Sequence, residues 1–175
     1  MSRPMLLAVG IALTPAVLSG CEGRNEAVSP SASPDLPSFT VGANLTSATL
    51  ARANAGPFHV QSKDAGFDVE LKTHDNADVV VASLSAAPGG YSGWHSHPGP
   101  VIVTIKTGSL TVYDADDPDC AGTVHAAGTV FLERGGDVHF ARNESGVTAE
   151  WVSTYIIPAG GATRIDAPAP GNCPF

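Results

Sequence analysis

The chain has 175 residues, 43% hydrophobic and only 15% charged, with a formal charge of −8 from nine basic and 17 acidic side chains. An acidic, lysine-poor balance excludes nucleic acid as an electrostatic partner and excludes charge-driven docking on anionic lipid. Nineteen glycines and 14 prolines punctuate the text in a way that suits many short strands and turns better than helices.

Arg3 gives a short positive start, and Met5 to Leu18 is mostly apolar, broken by Thr14 and Pro15. That run is shorter than the ~20 residues a spanning helix needs, so residues 1–20 read as a secretory signal peptide. The run closes with Leu18-Ser19-Gly20-Cys21, which resembles the lipobox of bacterial lipoproteins. The resemblance implies that Cys21 is lipidated and that the exported chain meets the outer side of the membrane only through this anchor. An ordinary signal peptide ending near a cysteine is the alternative. Residues 21–47 are rich in Ser, Pro, Ala and Asn and read as a flexible linker, leaving residues 48–175 as one domain.

Short β-type runs then follow one another. Phe67-Asp-Val-Glu-Leu-Lys-Thr73 alternates apolar and polar, as a half-buried strand does, and Val79 to Leu84 is continuous enough for a buried one. Val101 to Ile105 and Leu110 to Tyr113 flank Gly108, which predicts a hairpin. Thr129 to Leu132, Val138 to Ala141 and Ala149 to Ile157 complete the set, and no stretch carries a 3.6-residue period. The acidic run Asp114 to Asp119 lacks the order of a calcium loop and reads as a solvated turn.

The histidines concentrate in two glycine-punctuated stretches. Gly89-Gly-Tyr-Ser-Gly-Trp-His95-Ser-His97 leads through Pro98-Gly-Pro100 and a strand to Gly108, and Gly128 leads through Arg134-Gly-Gly136 to His139 and Asn143. Side chains at i and i+2 of a strand share a face, so His95 and His97 point together and Trp94 points away. Neutral imidazole is the commonest protein metal ligand, and three of them leave positions open for water or substrate.

These stretches resemble the paired motifs of the cupin superfamily. Gly89, His95, His97 and Gly108 fall on the first motif, and Gly128, Gly136, His139 and Asn143 on the second. The resemblance covers about residues 83–157 and implies an all-β, double-stranded β-helix (jelly-roll) barrel. It further implies a divalent metal (Fe, Mn, Zn, Ni or Cu) on His95, His97 and His139, a structural role for Asn143, and pairing of barrels as a homodimer. Two positions depart from the pattern. Val101 or Ile102 stands where the family has a glutamate ligand, and Arg134 where it has proline.

With three imidazoles and no protein anion, an anionic small molecule would complete the charge of such a site. Glu133 and Glu144 flank the second motif, where either could stand near the metal, but both read first as solvated charges; Tyr91 and Trp151 could line a pocket but read first as barrel core, and Trp94 reads as packing. His59, His74 and His125 lie outside both motifs and carry no ligand signal. Metal release is expected as pH falls through about 6.5, where free imidazole takes a proton. Cys120 and Cys173 are the cysteines left after Cys21; an oxidising compartment favours a bridge between them, against the alternative of two free thiols.

Three functions fit this text: a metal-dependent enzyme of dioxygenase, isomerase or lyase type acting on a small molecule, a non-catalytic module binding a metal or small ligand at the cell envelope, and a metal-free barrel with an interaction role, in which the histidines only line a polar mouth. Fold alone does not choose among them.

Overall fold

A computed structural model describes residues 42–175 of the chain. The expected signal peptide, Cys21 and most of the expected linker fall outside the described residues. Twelve strands account for the regular structure, and no helix occurs among the described residues.

The strands are β1 (Ala43–Gly56), β2 (His59–Asp64), β3 (Phe67–Lys72), β4 (Ala77–Tyr91), β5 (His95–Ser96) and β6 (Val101–Thr107). They continue with β7 (Ser109–Asp114), β8 (Thr123–Ala126), β9 (Val130–Glu133), β10 (His139–Arg142), β11 (Ala149–Pro158) and β12 (Ile165–Asp166). All pairings are antiparallel. Two five-stranded layers result, in the orders β1-β4-β11-β6-β9 and β12-β5-β10-β7-β8. They meet where Arg142 of β10 pairs with Tyr91 at the end of β4, nearly closing the barrel. This is the jelly-roll architecture that the motifs imply.

β4 sits between β1 and β11, which explains its continuous apolar text: Val80, Ala82 and Ala86 are buried there. In β6, Val101, Val103 and Ile105 point inward while Ile102 and Thr104 point out. β11 does the same with Trp151, Ser153, Tyr155 and Ile157. The apolar side chains among these, with Leu110, form the barrel core. A second cluster covers the outside of β10, where Trp94, Phe140 and Ala167 pack with Tyr113 and Phe175.

Three expectations change at this level. The boundary placed at residue 48 moves, because β1 already begins at Ala43 along the edge of β4. Leu45 packs against the core, and hydrogen bonding to a long neighbour replaces the hydrophobic period that residues 43–47 lack. The run Phe67 to Thr73 does form a strand, but it belongs to a separate β2–β3 hairpin whose Phe67 is 68% exposed. Alternation reports two unlike faces of a strand, not what covers the apolar one.

Gly108 does not close a hairpin. β6 pairs with β11 and β9, whereas β7 pairs with β10 and β8, so this turn carries the chain from one layer to the other. Its φ of +68° and the closeness of Ala149 (2.8 Å from a hypothetical Cβ) require glycine.

Candidate metal centre

β10 runs beside β5 with His139 directly opposite His95, and His97 follows one residue beyond the end of β5. The two motifs are thereby brought into register. Their ring centroids lie 4.4 Å (His95–His139), 4.9 Å (His95–His97) and 5.1 Å (His97–His139) apart. One ligand nitrogen from each ring lies within 4.8 Å of the others, and all three residues are buried. Trp94 points to the opposite side and packs on Phe140, as the i, i+2 rule demands.

Each ring is oriented by a backbone carbonyl. His95 Nδ1 meets the Gly93 carbonyl at 3.0 Å, His139 Nδ1 meets that of Asp137 at 3.1 Å, and His97 Nδ1 meets that of Thr163. A carbonyl only accepts, so in each neutral ring Nδ1 carries the proton and Nε2 keeps its lone pair. Metal-ligating histidines are commonly held by such an outer hydrogen bond. His139 Nε2 is buried with no hydrogen-bond partner, the kind of orphaned acceptor a cation satisfies. The residues present therefore fit a metal.

Burial lowers the His95 pKa to about 2, with repulsion from His139, Arg164 and His97 adding to the effect. It also lowers His139, although the Glu133 carboxylate pulls in the other direction. Both rings are neutral near pH 7, the form a metal requires. Tyr155, whose ring lies 5.3 Å from His97, is held protonated to higher pH than usual by burial.

A cavity of about 140 Å³ opens beside the rings, lined also by Trp151, Ser153, Tyr155 and Arg164. A larger groove of about 570 Å³ runs along β7 to β9 and shares only Phe131, Glu133 and His139 with it. The smaller cavity is the one all three imidazoles face, so it defines the site.

Glu133 departs from the expectation of a solvated charge. Its side chain is 11% exposed, with Oε2 3.2 Å from His97 Nε2 and Oε1 3.3 Å from His139 Nε2. The site therefore does contain a protein anion. On β9, Phe131 and Glu133 turn inward while Val130 and Leu132 are exposed, an alternation of burial that the unbroken apolar run Val130-Phe131-Leu132 does not announce in the sequence. Tyr155 was also missed, though the two-residue steps from Trp151 to Ser153 to Tyr155 along β11 put all three on one face. Glu144 is exposed and accepts a hydrogen bond from Tyr113 at 2.8 Å, away from the rings.

The remaining candidates fall elsewhere. His59 pairs with Glu70 on the outer hairpin, His74 is exposed, and His125 stacks on Phe131 at 3.9 Å in the larger groove. Tyr91 belongs to the outer aromatic cluster, while Trp151 serves both core and cavity wall. Asn143 is fully buried and donates to the carbonyls of Ala86 (2.9 Å) and Val147 (2.8 Å), the structural role expected of it. Asp117 accepts from the backbone of Asp119 and Ala121, which shapes the acidic turn from within. Cys120 and Cys173 are joined in a disulfide with Cα atoms 5.3 Å apart.

Fold and site together define an all-β barrel with a three-histidine cluster inside it. No protein-family model matches the chain, and no curated protein does. Solved structures similar to it include a cupin superfamily protein from Desulfitobacterium hafniense (13% identity, 65% of this chain and 77% of that one, TM-score 0.44). Another is an uncharacterized conserved protein with a double-stranded β-helix domain from Klebsiella pneumoniae (25% identity, 66% and 87%, TM-score 0.43). An oxalate oxidase overlaps 46% of each chain at 27% identity and TM-score 0.39. At such overlaps the architecture rests on the chain's own strand order.

Proposed function

We propose that this chain is an exported barrel protein that holds a divalent transition metal on His95, His97 and His139 and presents it to a small molecule. The single observation that carries this reading is the convergence of three buried rings, each held through Nδ1 by a backbone carbonyl so that Nε2 is left as the ligand atom. A polar barrel mouth without metal has no need of three such ligand atoms aimed together in a buried site.

A divalent ion held there supplies Lewis-acid polarisation or an acidified bound water. The chain's own residues set what can approach. The cavity volume of about 140 Å³ is below the ~300 Å³ of ordinary ligand pockets, so the ligand is a molecule of a few heavy atoms. Arg164 lines that cavity and favours an anionic one, while the protonated Tyr155 offers a hydrogen bond beside His97. A small acid or enol-type substrate of a dioxygenase, isomerase or lyase fits this lining. The same small volume supports a second reading, a module that binds metal without turnover. Export and attachment through Cys21 belong to this proposal on the strength of residues 1–21 alone.

The test is elemental analysis of untagged protein after exhaustive dialysis. Wild type is expected to retain close to one equivalent of metal and His97→Ala to lose most of it; equal metal in both defeats the reading. Oxygen uptake and product analysis with small carboxylates, diketones and thiols then separate enzyme from binder.

A further inference from the structure

We propose that Glu133 is the carboxylate ligand of this centre, delivered from β9 rather than from the strand that follows the paired histidines. The inference rests on the metal reading above and adds a fourth donor to it.

The geometry points there in three ways. First, both carboxylate oxygens are directed at ligand nitrogens, 3.2 Å from His97 Nε2 and 3.3 Å from His139 Nε2. With each ring in the neutral form that a metal requires, these nitrogens carry lone pairs, because the Nδ1 atoms donate to carbonyls. Acceptor then faces acceptor, which repels unless a cation lies between them. Second, the distances exceed the ~2.7–2.9 Å of a charge-assisted hydrogen bond. They match the spacing of two donors bound to one ion. With bonds of about 2.1 Å, neighbouring ligands stand about 3.0 Å apart at a right angle and about 3.4 Å apart at the tetrahedral angle. Third, the carboxylate is almost wholly buried, and among the described residues its ion-pair partners are His97 and His139 alone. An uncompensated carboxylate in such a place is strongly destabilising.

The register shows how the strand delivers it. Glu133 of β9 lies directly opposite Val101 of β6, and both side chains turn inward. A carboxylate at either position of this cross-strand pair reaches the same part of the cavity, since opposed residues have Cβ atoms only ~4.5–5.5 Å apart. Val101 is fully buried and chemically inert, so it yields that space to its partner.

The experiment compares wild type, Glu133→Gln, Glu133→Val, the double variant Glu133→Val/Val101→Glu, and His97→Ala. Affinity for Co(II) is measured by competition with a chelator, and the visible spectrum of the Co(II) protein reports its ligand set. Glu133→Gln keeps the shape of the side chain but removes its charge. It is expected to weaken Co(II) binding by more than the ~10- to 100-fold loss typical of an outer-sphere partner and to change the spectrum. The double variant is expected to regain most of the affinity and a wild-type-like spectrum, whereas Glu133→Val does not. A carboxylate that only positions His97 would leave the Co(II) spectrum in place. Unchanged affinity and spectrum in Glu133→Gln, with metal lost in His97→Ala, overturns the role of Glu133 and leaves the three-histidine centre standing. Failure of wild type to bind Co(II) at all overturns both. Circular dichroism of each variant, together with recovery in the double variant, separates ligand loss from misfolding.

Discussion

Inside the barrel, burial holds His95 neutral over much of the acid range in which the unfolded chain accepts a proton. Its folded pKa is pushed to about 2 by burial first and by neighbouring positive charge second, against about 6.5 when unfolded. Between these values the unfolded state binds more protons, so stability is fully present above pH 6.5 and is lost as pH falls below it. His139 is shifted in the same direction and adds to the slope. Metal-stripped protein is therefore expected to show a urea midpoint that falls steadily from pH 7 to pH 5, a range above ordinary carboxylate titration. His95→Asn should flatten that slope; a flat profile in wild type refutes the assignment. The same depression means that protons compete with metal for these two ligands less than the sequence suggested. The three histidines were legible because period-2 geometry fixes which side chains share a face. Glu133 was not, because its meaning depends on which strand lies opposite, and that is a tertiary fact.

Between the two histidine motifs the decisive element is the Pro98-Gly99-Pro100 turn that follows His97. A Cβ at Gly99 would stand 2.1 Å from the Ile156 carbonyl oxygen, and one at Gly135 would stand 2.9 Å from the Gly99 Cα. Gly136 N also donates to the His97 carbonyl at 2.8 Å, so the two motif turns are clamped where they pass β11. Gly99→Ala is expected to cost about 1–3 kcal/mol, as overpacking does, and to lower metal affinity by displacing His97. Chemical denaturation and the chelator competition measure the two effects; an unaltered midpoint means the turn has slack that the static geometry hides. The glycines were visible in the text as turn signals, and so were most strands. Strand partners were not, because local sequence specifies that the chain reverses but not which edge it meets next. Gly108 shows this most plainly: the same signal serves a hairpin and a crossing between layers.

Over the whole molecule, the C-terminal segment fastens the barrel from outside. Ile165 and Asp166 add a strand to β5, Ala167 N donates to the Trp94 carbonyl at 3.0 Å, and the Thr163 carbonyl holds His97. Further on, Phe175 packs against Phe140 at 4.8 Å and Tyr113 at 4.9 Å, and Asn172 donates to the carbonyls of Ala115 and Asp117. The Cys120–Cys173 bridge closes this arrangement over a sequence separation of 53 residues. A loop of that length corresponds to about 4 kcal/mol in the chain-entropy model. The bridge lies beyond β12, so its loss should loosen the aromatic cap while the β5–β12 pairing and the His97 hydrogen bond persist. Cys120→Ser/Cys173→Ser is accordingly expected to unfold at distinctly lower denaturant, by up to about 4 kcal/mol, yet to bind metal with nearly wild-type affinity. A change below about 1 kcal/mol would mean the cap is held by its packing alone. Loss of metal together with stability would show instead that the tail and the histidine cluster unfold as one unit, because the carbonyl orienting His97 comes from the same segment.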